Sequence, residues 1–466
     1  MTWACNAAFT ERICVQDRAT WESGKVSGAI YHGGDELTEV MGHAFTLFAL
    51  SNPLHPELFP SVRNMEAEVV SWSCRLFNGS DKACGTMSSG GTESILLACR
   101  AYREYGKTTR GITRPNMVIP ATAHAAFHKA GDYFGIALRI VPVDQETFKA
   151  DVSAMAAAMD SNTIMIMGSA IQFAQGVVDP IPELAALAKS KGGVPLHVDC
   201  CLGSFLVPFA SEVFAEMGQP PITPFDFSVP GVTSISCDTH KFGYAPKGSS
   251  VIMYSEEKFR LAQFYVSPRW TGGVYATPTI SGSRAGALVA ATWATMRFVG
   301  ADGYRKAART ILSSVKEVAA GVQRMHDEGL GIKLYGQPDL CVVAFGPDPK
   351  AARPAKIFAV FDAMSARGWQ LNSLQFPASV HLCVTHKNAE EAAARFERDL
   401  RAAVAEVDAN ADAYKDGMGK IYGMAESIPV DGPLELLSKV FLSALYATPK
   451  GGEDAEYWWT TKPDPQ

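Results

Sequence analysis

The chain has 466 residues, 47% hydrophobic and 19% charged, a balance that excludes intrinsic disorder, a collagen-like fibre and a disulfide-stapled miniature. Its formal net charge of −6 offers no electrostatic footprint for sequence-independent nucleic-acid binding. The 10 cysteines show neither CxxC spacing nor secreted-scaffold density, and read as reduced thiols in a cytosolic environment.

At roughly 150 residues per domain, the length allows two or three packing units. Residues 1–60, with Pro53, Pro56 and Pro60, read as an arm packed against the body, and no signal-peptide order opens the chain. A large unit over 61–300 follows. Its clearest helix is Thr92–Tyr105, with Ile95, Cys99 and Tyr102 on one face and Gly106 as a stop. Short apolar runs then alternate with helical patterns: 117–119, 138–143, 163–167, 194–198, 233–236 and 250–254. They predict buried strands of a mostly parallel sheet. The charge-free stretch 161–178 carries Asn162, Gln172 and Gln175, so it reads as a buried strand and a loop, not a membrane span. A helical stretch over 285–296 and a longer one over 304–326 lead, across a boundary near residue 300, into a small unit over 301–447. Strands at 340–345 and 381–385 and a helix at 390–407 belong there, and 448–466 reads as a mobile tail.

Three segments carry chemistry when taken together. Ser88-Ser89-Gly90-Gly91-Thr92 opens a helix, where backbone N–H groups and the helix dipole favour a phosphate. Alone it reads equally as a glycine turn with a threonine cap. His197-Val198-Asp199 ends an apolar strand, and a buried carboxylate implies a cationic partner such as a pyridinium nitrogen. Alone, Asp199 serves as well as a loop cap. Lys241, between Asp238-Thr239-His240 and Phe242-Gly243, reads as a Schiff-base amine whose pKa a desolvated, cation-rich pocket lowers. His124, after another strand, either stacks on a cofactor ring or caps a helix. His197, Asp199, Asp238 and His240 form a conceivable metal set, without a recognisable zinc motif.

These segments, with Tyr244-Ala245-Pro246-Lys247-Gly248, Ser51-Asn52-Pro53-Leu54-His55-Pro56, Asn372-Ser373-Leu374-Gln375-Phe376-Pro377 and Gly417-Met418-Gly419-Lys420-Ile421-Tyr422-Gly423-Met424, together resemble the sphingosine-1-phosphate lyases. This is a family of pyridoxal phosphate-dependent group II decarboxylases, and the likeness runs from about Gly24 to Tyr446. The resemblance implies an α/β, aspartate-aminotransferase-like (type I) fold: a mostly parallel seven-stranded sheet with a smaller C-terminal α+β domain. It implies a homodimer with sites at the subunit interface and pyridoxal 5'-phosphate as cofactor. Lys241 would carry the coenzyme, Asp199 face its ring nitrogen, His124 stack on the ring, and Gly91 with Thr92 hold its phosphate. Gly282 and Ser283 would reach the coenzyme phosphate from the neighbouring subunit. Tyr31, His55 and Lys247 would bind the substrate phosphate; individually they read as a packed tyrosine, a loop histidine and a surface lysine.

The implied activity is retro-aldol cleavage of a phosphorylated long-chain sphingoid base to phosphoethanolamine and a long-chain aldehyde, in the cytoplasm. Lys241 or a nearby histidine would be the base, and His240 joins Lys241, Asp199 and His124 as a catalytic candidate. Amino-acid decarboxylation on the same cofactor, and a binding protein without turnover, are the alternatives. The sequence departs from the family pattern at Cys200, Phe242, Ile171 and Ala174, which bears on pocket shape, with Cys200 expected near the cofactor face.

Overall fold

The computed structural model of the protein describes residues 21–410, Tyr414, Gly417 and residues 431–446. The expected tail 448–466, residues 1–20 of the arm and nearly all of the 417–424 motif lie outside the described residues. The short Val-, Ile- and Met-rich runs form one sheet: β1 (Cys84–Ser88), β2 (Asn116–Pro120), β3 (Ala137–Val141), β4 (Thr163–Ser169), β5 (Leu196–Asp199), β6 (Val232–Cys237) and β7 (Ser250–Tyr254). Their order is β1-β7-β6-β5-β4-β2-β3. The β2/β3, β2/β4, β4/β5 and β5/β6 pairs are parallel, while β7 runs antiparallel to both β6 and β1. β1 escapes the sequence reading because Cys-Gly-Thr-Met-Ser has no apolar run. It is a strand by pairing, and Gly85 admits the Ile252 carbonyl closer than any Cβ would allow.

Both faces of this sheet are covered. The helices of this half are α1 (Asp35–Leu47), α2 (Pro60–Leu76), α3 (Gly91–Arg110), α4 (Ala126–Phe134), α5 (Val152–Ala158), α6 (Ile181–Ser190), α7 (Val207–Glu216) and α8 (Glu257–Gln263). Alternation along the strands divides their side chains between the two layers. Met117, Ile119, Met165, Met167, Ile252 and Tyr254 pack with Ile95, Leu97 and Tyr102 of α3. Val118, Ile166, Val251 and Met253 face the opposite layer with Leu184 and Val213. Helix α3 runs past the expected stop. Gly106 lies inside it, where a Cβ would come 2.9 Å from Ile164 Cγ2, and the left-handed residue that ends it is Gly111, φ 65°. Gly106 is there for close helix–sheet packing.

The two helical stretches expected around residue 300 are both present, labelled together as α9 (Gly286–Asp327) and broken at Gly300, whose φ of 59° and ψ of 175° are not helical. Its first part packs on α1 and α2, and its second on a four-stranded antiparallel sheet. That sheet contains β10 (Ile332–Leu334), β11 (Val342–Pro347), β12 (Asn372–Leu374) and β13 (Ser379–Cys383), with α10 (Ile357–Ala366) and α11 (Ala389–Ala409) beside it. A hairpin, β8 (Tyr265–Trp270) with β9 (Gly273–Thr277), precedes α9, and α12 (Asp431–Leu445) follows α11. The arm is not one element: Ser27 N and Gly28 N donate to Gln370 O at 2.8 Å and Cys383 O at 3.0 Å, so residues 26–28 join the small sheet, whereas α1 lies along α9. Among the described residues, no helix is long and apolar enough to cross a membrane.

Two buried histidines, His197 and His381, and the half-buried His32 couple this fold to pH. Burial, aided by His386, lowers His32 to about 4; burial lowers His197 and His381 to about 4. Each binds its proton less readily folded than unfolded, so its contribution is complete above about 6.5 and lost as pH falls towards 4. Asp179 acts oppositely: burial raises it to about 6, favouring the folded state as pH falls from about 6 to 4. Melting temperature should therefore drop between pH 6.5 and 4, and His197→Asn should make the drop shallower. Equal slopes for the two proteins would contradict this.

Candidate active site

In a parallel sheet the carboxyl ends of the strands collect loops on one edge, the usual place for a ligand. Here that edge gathers His124 after β2, Asp199 at the end of β5, residues 238–249 between β6 and β7, and the amino end of α3. Because β7 is antiparallel to β6, the whole 238–249 connection stays on this edge.

The amino end of α3 is built around Glu93, in its first turn. Glu93 Oε2 accepts from Ser89 N at 2.7 Å and Ser89 Oγ at 2.6 Å, and Oε1 accepts from Ile280 N at 3.0 Å. The carboxylate reaches back over the turn and fixes the glycine loop; Ser89 and Glu93 are four residues apart, one more than the capping-box spacing, and sequence reading missed the link. Gly91 has no room for a side chain, since a Cβ would lie 2.7 Å from Cys201 Sγ and 2.8 Å from both Asp238 oxygens. Thr92 is exposed beside it.

Asp199 is buried and accepts from Cys201 N at 3.0 Å and Ser236 Oγ at 3.2 Å. Burial opposes its ionisation, but nearby His124 and the Cys201 hydrogen bonds outweigh burial and hold the carboxyl below its ordinary range. His197 lies beneath, with Nδ1 2.7 Å from Ser234 Oγ and Nε2 3.1 Å from Ser236 Oγ. With both ring nitrogens engaged by hydroxyls, His197 serves as a support, and the metal set does not assemble. His124 is exposed, its Nδ1 accepting from Ala126 N at 3.1 Å; it caps α4 and also lies within electrostatic reach of Asp199. Cys200 is wholly buried, and the thiol that reaches the α3 amino end is that of Cys201.

Lys241 corrects the sequence reading. Its Nζ is 2.8 Å from Asp238 Oδ2, with the Lys241 side chain 23% exposed and that of Asp238 2%. Burial pulls the ammonium down, but the Asp238 carboxylate, the largest opposing cause, raises it above the ordinary lysine range. The pocket is anionic around this amine, not cation-rich. The lowered lysine is Lys247, by burial and by Lys241. His240 is also lowered, by burial first, against the pull of Asp238.

Tyr31 is buried and meets Phe242 edge-on at 4.9 Å, and Lys247 Nζ lies 4.7 Å from the Tyr31 ring centre. Tyr31, Lys241 and Lys247 thus converge. His55 does not join them: half exposed, it sits with Nδ1 3.6 Å from Glu57 Oε1. Its loop is tied instead to the turn holding Gly282 and Ser283. Asn52 Nδ2 donates to Ser283 Oγ at 3.1 Å, Arg284 N to Asn52 Oδ1 at 3.2 Å, and Gly286 N to Ser51 O at 2.8 Å. Ser283 also lines a cavity of about 190 Å³ with Ser88, Ser89 and Glu93.

These residues fit pyridoxal phosphate. A lysine amine, a carboxylate kept ionised at a strand end, and a helix amino end narrowed to glycine match an aldehyde, a pyridinium and a phosphate. Asp238 Oδ1 and His240 Nδ1 are buried without a hydrogen-bond partner among the described residues, which leaves polar capacity facing the same space.

Comparison with known proteins agrees. Residues 10–346 match the pyridoxal-dependent decarboxylase conserved domain. Sphingosine-1-phosphate lyase 1 of Rattus norvegicus is 46% identical over 92% of this chain and 73% of its own length. The sphingosine-1-phosphate lyase of Drosophila melanogaster is 44% identical over 92% of this chain and 76% of its own. Among solved structures, a Burkholderia pseudomallei sphingosine-1-phosphate lyase superposes with a TM-score of 0.82 at 40% identity, covering 89% of this chain and 93% of that one. A Lactobacillus brevis glutamate decarboxylase, 20% identical with a TM-score of 0.72 over 86% of this chain and 92% of that one, shares the fold. The sheet is thus that of the aspartate-aminotransferase-like (type I) pyridoxal phosphate enzymes, and the chain belongs to the sphingosine-1-phosphate lyases within the pyridoxal-dependent decarboxylase family.

Proposed function

We propose that the chain is a pyridoxal phosphate-dependent carbon–carbon lyase of sphingolipid metabolism, cleaving a phosphorylated long-chain sphingoid base between carbons two and three into phosphoethanolamine and a long-chain aldehyde. The observation that carries this reading is the pairing of Tyr31 with Lys247 beside Lys241, a receptor for an anionic group next to the amine that holds the coenzyme. A decarboxylase acting on amino acids has no need of a phosphate receptor there.

When bound, pyridoxal phosphate supplies an electron sink for the carbanion left by the broken bond. Around it, Lys241 Nζ would be the point of attachment. Asp199, held ionised by His124 and Cys201, would keep the ring nitrogen protonated. The N–H groups of Gly91 and Thr92 would receive the coenzyme phosphate, and His124 would cover the ring. Tyr31 and Lys247 orient the substrate phosphate through charge-assisted hydrogen bonds. Burial favours the neutral imidazole of His240, so His240 is better placed than the protonated Lys241 to take the proton from the substrate 3-hydroxyl.

His55 and Ser283 enter through a second subunit in this reading. Their loops form one hydrogen-bonded unit apart from Tyr31 and Lys247, and Phe45, Leu47, Leu50 and Leu58 are exposed nearby in sequence, Leu50 at 93%. A homodimer would cover such apolar surface and carry the unit to the partner's site. The eight free cysteines among the described residues support a reducing, cytoplasmic setting.

Incubation with sphingosine-1-phosphate should give phosphoethanolamine and a long-chain aldehyde. Carbon dioxide from an amino-acid panel, without aldehyde from the sphingoid base, would select decarboxylation instead. Lys241→Ala should lose the absorbance band of lysine-bound coenzyme; a persistent band would move the attachment elsewhere. Lys247→Ala should weaken phosphorylated-substrate binding by about 1.5–3 kcal/mol, read as a rise in KM, and unchanged kinetics would remove it from the site. Mixing inactive Lys241→Ala with inactive His55→Ala protein should restore partial activity through hybrid dimers. No recovery despite subunit exchange would place His55 in its own chain's site.

A further inference from the structure

Asp238 has no role in the chemistry described so far, yet it is a nearly fully buried carboxylate at the site. Its side chain is 2% exposed. Oδ2 lies 2.8 Å from Lys241 Nζ and 3.6 Å from His240 Nε2, while Oδ1 is buried without a hydrogen-bond partner among the described residues. A Cβ on Gly91 would approach both oxygens to 2.8 Å, so the amino end of α3 confines the carboxylate against the lysine. Removing one partner of a buried ion pair leaves the other uncompensated, so this pair constrains whatever nitrogen occupies the Lys241 position.

We infer that Asp238 is the counter-ion of the reacting nitrogen: it keeps Lys241 Nζ protonated in the free enzyme and keeps the nitrogen protonated once it is joined to the coenzyme. A positive charge on that nitrogen makes the adjoining carbon electrophilic towards the substrate amine, so the carboxylate prepares the exchange of Lys241 for substrate. The inference rests on Lys241 being the attachment point. The other titratable groups within electrostatic reach of this nitrogen are Cys201 from the turn after β5, Tyr31 from the amino-terminal segment, Cys237 at the end of β6 and Cys341 just before β11, with His240 and Lys247 from its own loop. Both Cys201 and Tyr31 are themselves raised, by burial first, so both are neutral at physiological pH and Asp238 supplies the negative charge.

The test is a pH titration of the visible absorbance of the holoenzyme. Unprotonated and protonated forms of the lysine-bound nitrogen absorb at different wavelengths, so the midpoint reads its proton affinity directly. Asp238→Asn should move the midpoint down by about one pH unit or more, a tenfold change or greater in proton affinity, and Asp238→Glu should recover most of the shift. A midpoint unchanged in Asp238→Asn would overturn the inference. A band that survives Lys241→Ala would instead overturn the attachment site, so the two failures are distinguishable. If Asp238→Asn does not retain coenzyme, the apoenzyme decides. Trinitrobenzenesulfonate, which attacks only neutral amines, should label Lys241 roughly tenfold faster in Asp238→Asn than in wild type, and equal rates would overturn the inference.

Discussion

Two carboxylates held away from water at the ends of neighbouring strands, Asp199 on β5 and Asp238 just beyond β6, determine what this site can hold. An isolated buried anion costs several kcal/mol, so each requires a compensating cation or a set of donors. Asp238 has the Lys241 ammonium. Asp199 has hydroxyl and amide donors and a histidine nearby, and a pyridinium nitrogen would complete its compensation. Parallel pairing of β5 with β6 brings the two to one edge. The reversal of β7 keeps the connection bearing Asp238, His240, Lys241 and Lys247 from leaving that edge. Sheet topology thus links the burial of these charges to the chemistry above them.

Charge balance then separates the two lysines. Asp238 pairs with Lys241, and the neighbouring Lys247 is left depressed by burial and by the Lys241 charge. An anionic phosphate of the substrate at Lys247 and Tyr31 would supply the missing counter-charge. Substrate affinity and the protonation of the reacting nitrogen are therefore electrostatically connected. The amino-terminal segment has a structural part in this. Residues 26–28 pair with the small sheet and so set Tyr31 over Phe242, which brings the small sheet beside the proposed substrate-phosphate pocket.

Much of this was legible from residue type and spacing. Strands β2 to β7 are written as apolar runs, and the glycine turn, Asp199 and Lys241 stand near strand ends or helix starts where chemistry explains them together. The rest depends on contacts distant in sequence. β1 is too polar to read as a strand without its partner β7. Gly106 looks like a helix stop until Ile164 is seen against it. The electrostatics of Lys241 were misread because Asp238 lies three residues away on a turn, and spacing alone does not tell whether the two side chains meet. Within one subunit His55 stays with Glu57, away from Tyr31 and Lys247, whereas Ser283 lines a cavity with Ser88, Ser89 and Glu93. Their hydrogen-bonded link through Asn52 appears only once the loops are folded.

The account stands on the identity of the amine that holds the coenzyme. Borohydride reduction of the holoenzyme, followed by proteolysis and mass spectrometry of the coenzyme-bearing peptide, identifies that amine without reference to activity. The account predicts a single modified peptide with the added mass on Lys241. Modification at Lys247 or any other lysine, with Lys241 unmodified, would contradict it.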